Sequence, residues 1–193
     1  MMKTLTQTLL MLLVFTFITG VGYPAIVWAL GQLLWPERAN GSLVKEGDIT
    51  VGSSLVGQKF ENQRYFFSRP SGSDYKAVPS LASNLGPTSA VLKELIAKRR
   101  SALAAMHGVS PERVPADLIT RSASGLDPHI SPNAAFFQVA RVAKERRLSV
   151  QAQARLKALV QSLTEAAQWE MFGDARVNVL ALNRAVDAMF GKN

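Results

Sequence analysis

LLMLLVFTFITGVGYPAIVWALGQLL, residues 9–34, is the stretch that decides the fold. From residue 4 to residue 36 there is no Asp, Glu, Lys, Arg or His. About 20 apolar residues in a helix already cross the hydrocarbon core of a bilayer. A cleaved signal peptide has a shorter apolar region of about 7–15 residues that ends at a small-x-small site. The stretch therefore predicts an uncleaved transmembrane anchor, long enough to tilt, bend or extend past the bilayer.

Two features refine the anchor. Gly20, Gly22 and Pro24 predict a bend, because proline has no amide hydrogen and crowds the preceding turn. Tryptophan is favoured at the headgroup interface, where Trp28 and Trp35 are expected to lie. The residues assigned to the membrane are Leu12, Phe15, Phe17, Ile18, Tyr23, Pro24, Trp28 and Trp35.

The charges beside the anchor predict its orientation. Lys3 and the terminal amine precede the helix, whereas Glu37 and Arg38 come after it and cancel. The positive-inside bias then places the N-terminus in the cytoplasm and the attached domain outside it, in the periplasm.

Length and composition limit the rest of the chain. The 193 residues carry a formal charge of +8, no cysteine and two histidines. Disulfides, thiol catalysis and a Cys/His zinc site are therefore excluded, and no metal site is predicted. The expected organisation is an anchor at residues 1–36, a linker at 37–50 and one soluble domain at 51–193.

The soluble domain is predicted to be α+β, with several helices and a few short strands. Strands are expected within residues 51–60, at 65–67 and at 118–120, with a long loop at 68–87. Helices are expected to begin after the caps Thr88, Ser131 and Ser149, and a last helix is expected from about Asn178, although Val177 and Val179 also fit a strand. The expected buried faces are Leu92, Leu95, Ile96, Arg99 and Leu103; Phe136, Val139, Ala140 and Ala143; Leu156, Leu159, Val160 and Leu163; and Val179, Leu182, Val186 and Met189.

The sequence predicts no catalytic residue. It has neither a glycine-rich phosphate-binding motif nor Gly-x-Ser-x-Gly. Asp127, His129 and Ser131 lie within five residues, but members of a catalytic triad normally come from distant segments. Ser131 is better explained as a helix cap and Asp127 as a turn residue. A membrane-tethered hydrolase that uses these three residues is the alternative.

The basic clusters at residues 98–100 and 144–147 are short and lack interleaved aromatic residues. Such clusters favour solvated helix faces, or faces near anionic lipid, over a nucleic-acid site. No nucleic-acid partner is expected.

Several blocks, taken in order, match one family. They are Thr19-Gly20, Tyr23-Pro24, ANGSL at 39–43, GSSLVGQ at 52–58, Tyr65-Phe66, RPS at 69–71, SNLGPT at 83–88, SASGLDPHISP at 122–132, RVA at 141–143 and VNVL at 177–180. This order resembles the C subunit of the Kdp potassium-transporting ATPase. The likeness runs from the anchor to the last helix.

The resemblance implies an accessory subunit of a high-affinity potassium-uptake complex in the bacterial inner membrane. Its partners would be a pore-forming subunit that binds K⁺, a P-type ATPase subunit and a small F subunit. The C subunit would be needed for assembly and activity without transferring phosphate. It would hold no tightly bound cofactor, because ATP and K⁺ are handled by the complex.

The resemblance is compatible with two roles. In one, the domain lies outside the cytoplasm and stabilises or gates the pore and ATPase subunits. In the alternative, it is a catalytic chaperone that contacts nucleotide and raises the ATP affinity of the ATPase subunit. That alternative depends on a Leu-Ser-x-x-Gln motif, which would leave Ser149 and Gln151 as nucleotide contacts. Here glutamine is at 151 and Ala152 comes next, so the motif is not matched.

A second departure is Phe67-Ser68, where the family pattern has His-Gly, so no role of that histidine carries over. The loops at residues 65–71 and 83–88 are the expected partner-contact regions, and the segment around 124–132 is the expected structural brace. The partner-contact candidates are Tyr65, Phe66, Arg69, Pro70, Ser71, Ser83, Asn84 and Leu85, and the brace residues are Gly125, Asp127, Pro128, His129 and Ser131. The alternative is that these residues only support the domain's own core.

Overall fold

The computed structural model describes residues 2–192. It divides into two compact units, and the boundary in the chain lies between Ser53 and Ser54. The first unit carries the anchor, a short helix and a hairpin, and the second carries the other helices and a small sheet.

The anchor is a continuous helix, Met2–Leu34. It comprises α1 (Met2–Phe17), a π-helical turn (Ile18–Gly22) and α2 (Tyr23–Leu34). Within residues 2–192 it is the one helix that is long and apolar enough to cross a membrane. The π-helical turn lies just before Pro24, which has no amide hydrogen to donate, in the region where the sequence predicts a bend.

The region expected to be a linker contains regular structure. A short helix α3 (Pro36–Ala39) is followed by a hairpin of β1 (Leu43–Glu46) and β2 (Ile49–Ser53). The strands are antiparallel, with Leu43 opposite Ser53. The hairpin therefore crosses the predicted boundary between residues 50 and 51, and the strand expected within 51–60 ends at Ser53.

The second unit begins with an irregular segment at residues 54–89, followed by α4 (Ala90–His107). Two 3₁₀ turns (Pro111–Arg113 and Ala116–Leu118) lead to β3 (His129–Ile130) and α5 (Pro132–Glu145). After them come α6 (Val150–Ser162), β4 (Thr164–Glu165), β5 (Arg176–Asn178) and α7 (Val179–Phe190). The three strands form an antiparallel sheet in the order β3-β5-β4. The α+β prediction is confirmed.

Two of the predicted helix caps are confirmed, and the last helix is capped at its predicted start. The side-chain oxygens of Ser131, Ser149 and Asn178 each accept a hydrogen bond from the amide three residues later, at 3.0–3.2 Å. The cap of α4 is Ser89 instead of Thr88. Val177 does lie in a strand, β5, and α7 begins directly after it.

The core is formed by α5, α6, α7 and β5, with Phe66 inserted from the irregular segment. The expected inner face of α6 is confirmed, and the expected residues of α4 form its half-buried side. The predicted face of α5 is partly wrong, because Phe136 and Ala140 are exposed. Met189 of α7 is also on the exposed side, at 41% exposure. The buried positions of α5 are Ala134, Ala135, Gln138, Val139, Arg141, Val142 and Ala143.

Two predicted strands are wrong. Residues 118–120 end a 3₁₀ turn instead of pairing in a sheet, and Thr120 is held by Ala116 O. Residues 65–67 have no strand neighbour, and side chains hydrogen-bond their backbone instead.

Candidate functional site

The segment at residues 65–71 is fixed by two buried amide side chains. Asn183 of α7 accepts from Phe66 N at 2.8 Å and donates to Phe66 O at 2.9 Å. Gln138 of α5 does the same for Phe67, accepting from its amide at 2.7 Å and donating to its carbonyl at 3.2 Å. Each side-chain amide thus replaces one residue of a neighbouring strand and satisfies backbone groups that would be costly to bury alone.

Arg141 of α5 holds the same segment from another side. Its Nη2 donates to Tyr65 O at 3.0 Å and to Gln138 Oε1 at 2.8 Å, and its Nη1 donates to Gln63 O. The guanidinium carbon lies 4.0 Å from the centre of the Phe67 ring. Burial lowers the pKa of Arg141 to about 10, so the group is still charged at neutral pH and gains a cation–π contact.

Arg146 corrects the interpretation of the second basic cluster. It is buried, whereas Lys144 and Arg147 beside it are exposed as expected. Its Nη2 lies 2.6 Å from Asp187 Oδ1, and its Nε donates to Arg64 O at 2.8 Å. Asp187 also accepts from the Tyr65 hydroxyl at 3.0 Å, and burial of that hydroxyl followed by this bond raises the pKa of Tyr65. The cluster is therefore partly structural.

The first basic cluster is also not wholly solvated. Arg99 of α4 is half-buried, and its Nη1 donates to Ile119 O at 3.1 Å. Burial, with the nearby Arg121 charge as a smaller cause, lowers the pKa of Arg99.

The segment predicted to be a brace joins distant parts of the second unit. Asp127 Oδ2 lies 3.1 Å from Arg69 Nη1, and its Oδ1 accepts from His129 N at 2.9 Å. Pro128 O accepts from Val179 N at 2.9 Å, and Ser131 N donates to Asp117 Oδ2 at 2.7 Å. The irregular segment, β5–α7 and the turn before β3 are all tied to this stretch.

Two glycines let the irregular segment approach the brace. A Cβ at Gly57 would lie 2.5 Å from Asp127 O, and the Gly57 amide donates to Leu126 O at 2.7 Å. Gly125 has a φ of 72°, and a Cβ there would lie 3.0 Å from Leu81 O. Only glycine allows both backbones to pack this closely.

Asp127, His129 and Ser131 are not arranged as a nucleophile with its base. The Ser131 hydroxyl accepts the Ala134 amide at 3.0 Å and caps α5. Asp127 Oδ1 is 3.6 Å from His129 Nδ1, and the same carboxylate binds Arg69. The three residues line a polar cavity of about 310 Å³ together with Arg69, Asp117, Asp174 and Arg176. The arrangement serves structure.

The partner-contact candidates occupy different environments. Phe66 is fully buried and so presents no surface to a partner, which does not fit its predicted role. Tyr65, Arg69, Pro70 and Ser71 are half-buried. Ser71 Oγ accepts from Tyr75 N at 2.9 Å, and the Tyr75 hydroxyl donates to Arg69 O at 2.6 Å, so this part is held in a compact turn. Burial raises the pKa of Tyr75 to about 12.

The second candidate loop is more accessible. Asn84 is exposed with a φ of 49°, and Ser83 and Leu85 are half-buried on either side of it. Just before it, Ser80 Oγ donates to Ser124 O at 2.6 Å, which ties the loop to the segment that carries the brace.

The nucleotide candidates lie at the start of α6. Ser149 is the N-cap and accepts from Ala152 N at 3.2 Å, and Gln151 is exposed in the first turn. The Ser149 hydroxyl therefore already has a structural partner.

Sequence reasoning missed the residues that fix the segment at 65–71. Gln138 and Asn183 lie among the apolar positions of α5 and α7, between buried Ala135 and Val142 and next to buried Leu182. A polar amide on an apolar helix face signals a buried hydrogen bond. It does not reveal which backbone receives that bond.

Comparison with known proteins identifies the family. The family model of KdpC, the c chain of the K⁺-transporting ATPase, matches residues 5–188. The chain belongs to this family. The potassium-transporting ATPase KdpC subunit of Methylococcus capsulatus is 48% identical over 192 residues, which cover 98% of this chain and 100% of that one. The KdpC subunits of Rhodospirillum rubrum and Dechloromonas aromatica are 47% and 46% identical, with 98% and 97% of this chain covered and 98% and 99% of theirs.

The resemblance given by the sequence blocks is thereby confirmed. A KdpC chain is an accessory subunit of the Kdp ATPase, and membership in the family implies the other Kdp subunits as partners. The helix Met2–Leu34 is consistent with a single-pass anchor of such a subunit.

Proposed function

We propose that this chain is the non-catalytic, membrane-anchored subunit of a high-affinity, ATP-driven potassium-uptake complex in the bacterial inner membrane. It acts outside the cytoplasm, where its domain stabilises or gates the pore-forming and ATPase subunits. The small F subunit is its third partner. ATP and K⁺ are handled by those partners, and this chain holds no cofactor of its own.

The proposal rests on two features found in the same chain. It has a 33-residue apolar helix, and the KdpC family model matches residues 5–188. An anchor keeps the attached domain beside its partners at a high effective concentration, so modest contacts are enough for stable docking. The loops at residues 65–71 and 83–88 supply contacts in this proposal, with Asn84 as their exposed candidate and Tyr65, Arg69, Pro70, Ser71, Ser83 and Leu85 as their half-buried candidates.

The geometry supports a docking role because the irregular segment has a fixed shape. Asn183, Gln138 and Arg141 fix it from the helices, and the brace at residues 125–131 fixes it from the other end. A preformed surface loses less conformational entropy on binding than a flexible one.

The growth test uses a strain in which this gene is deleted while the other Kdp subunits are kept. We expect no growth at micromolar K⁺, normal growth at millimolar K⁺, and rescue by the full chain. Unchanged growth of the deletion strain at micromolar K⁺ would refute the proposal.

Topology is tested with single cysteines, since the natural chain has none. Ala154→Cys lies on the exposed side of α6, and Lys3→Cys lies at the other end of the anchor. An impermeant maleimide added to spheroplasts should label position 154 and leave position 3 unlabelled until the membrane is opened. The reverse pattern would place the domain in the cytoplasm and favour the alternative in which Ser149 and Gln151 contact nucleotide.

A further inference from the structure

An apolar tip projects from the loop between β4 and β5. Trp169, Met171 and Phe172 are 85%, 75% and 56% exposed, and they fall within four consecutive residues. The Trp169 and Phe172 rings meet edge to face with their centres 6.0 Å apart. Adjacent large apolar side chains at this exposure are typical of interaction sites and unusual on a free surface.

The backbone holds the tip in a defined turn. Gln168 and Phe172 exchange two backbone hydrogen bonds, both of 2.9 Å. Between them Trp169 and Glu170 have φ values of 52° and 60°, a region that bulky residues rarely adopt. Tight turns normally have asparagine or glycine at positions with positive φ. Here tryptophan and glutamate occupy those positions, and the indole is exposed. This departure from ordinary turn chemistry needs a reason outside the turn itself.

The charge around the tip decides between a lipid and a protein partner. Glu170 lies within the turn, and Asp174, which also lines the polar cavity beside the brace, comes shortly after it. Within residues 2–192 no basic side chain forms an ion pair with either carboxylate. The nearby Arg176 is bound to Glu165 at 3.0 Å. The tip is therefore locally acidic in a chain of net charge +8. Anionic lipid headgroups would repel these carboxylates, whereas a protein cleft with a basic rim would attract them.

We infer that the tip at residues 168–174 docks into an apolar cleft with a basic rim on another subunit of the same complex. This inference rests on the proposed function for the presence of that subunit. Trp169 is the central contact, Met171 and Phe172 complete the apolar surface, and Glu170 and Asp174 meet the basic rim. Tryptophan is among the residues most enriched at the energetic centre of protein interfaces.

The experiment uses photo-crosslinking in membranes that contain the whole complex. Trp169→benzoylphenylalanine is expected to give an adduct with another Kdp subunit. The double charge reversal Glu170→Lys and Asp174→Lys should lower the adduct yield about tenfold, since a basic rim then repels the tip. The neutral pair Glu170→Gln and Asp174→Asn should lower it less. Adducts with lipid alone, or no adduct, would overturn the inference.

A matched pair of truncations separates the tip from general surface hydrophobicity. Val150 is 81% exposed at the start of α6, so Val150→Ser removes a similarly exposed apolar side chain elsewhere. Trp169→Ser should release the chain from the detergent-solubilised complex during a salt wash, whereas Val150→Ser should behave as wild type. Equal behaviour of the two variants would overturn the inference. Unchanged thermal melting of both variants would show that the fold is intact, as expected for exposed side chains.

The two proposals fail in different ways. If the deletion strain cannot grow at micromolar K⁺ while every tip variant crosslinks and copurifies as wild type, the tip inference fails alone. If the deletion strain grows there, the proposed function fails whatever the tip contacts.

Discussion

Removing the Asn183 side-chain amide should destabilise the domain far more than its size suggests. Asn183 is 2% exposed, and it makes bonds of 2.8 and 2.9 Å with the amide and carbonyl of the fully buried Phe66. Asn183→Leu keeps the branching of the side chain, with bulkier methyl groups at its ends, and removes both bonds. A buried backbone group left without a partner costs about 1–3 kcal/mol. With two such groups, we expect the free energy of unfolding to fall by about 3–4 kcal/mol.

The assay is denaturant unfolding of the full chain in detergent micelles, followed by far-ultraviolet circular dichroism. Asn133→Leu is the matched control, because Asn133 lies in the first turn of α5 and is exposed instead of enclosed. Substitutions outside the core usually change stability by less than about 0.5 kcal/mol. Amide hydrogen exchange gives an independent measurement, since the Phe66 amide should lose its protection in Asn183→Leu before the rest of the core does.

Two results would refute this reasoning. One is an unfolding midpoint for Asn183→Leu that matches the Asn133→Leu control. The other is a Phe66 amide that exchanges as slowly as in the wild type, which would mean that another group had replaced the asparagine. A large loss of stability with retained protection would assign the effect to packing instead of hydrogen bonding.

Further predictions concern pH and close packing. Burial, followed by the nearby Arg141 charge, lowers the pKa of His107 from 6.5 to about 4. As the pH falls, the unfolded chain therefore binds a proton at this histidine before the folded chain does. The stability of the folded state is fully present above pH 6.5 and is partly lost as the pH falls toward 4. Because the ring is partly exposed, we expect this loss of stability to be about 1–2 kcal/mol. The free energy of unfolding should therefore fall less in His107→Gln than in the wild type between about pH 7 and about pH 4.5. An unchanged difference in that variant would count against the histidine as its source. Gly57→Ala should cost about 1–3 kcal/mol, because its Cβ would lie 2.5 Å from a backbone oxygen. The control is Gly86→Ala, where nothing lies within 4 Å of the new Cβ. Equal melting temperatures of Gly57→Ala and Gly86→Ala would contradict this prediction.

The features that the sequence predicted well depend on local chemistry. The anchor follows from a long uncharged stretch, and the caps Ser131 and Ser149 follow from a polar residue before an apolar period. The strand predicted at 65–67 failed for a non-local reason. Aromatic residues there do favour an extended backbone, but the partners of that backbone are side chains 71 and 117 positions away in the sequence.

In the candidate site, too, the sequence indicated local features but not the contacts between distant residues. Turn residues around Asp127 and Pro128 marked a structured stretch, and its bonds to Arg69 and Val179 required the fold. Arg146 was indistinguishable from Lys144 in the sequence, since both belong to one basic run. Only Asp187, 41 positions later, makes one of them a buried ion pair. Period and composition do not contain that information.

The long irregular segment can be ordered without a sheet because helices supply its polar partners. Gln138, Arg141 and Arg146 all come from α5 and its C-terminal turn, and Asn183 and Asp187 come from α7. Each group is positioned by a helix that packs in the apolar core, so the shape of the segment depends on the same interactions that stabilise the fold. The segment therefore loses its conformational entropy when the domain folds. It does not lose that entropy again on docking, where the loss would weaken binding. In the proposed docking role, the subunit gains affinity from this arrangement, and its anchor supplies the proximity.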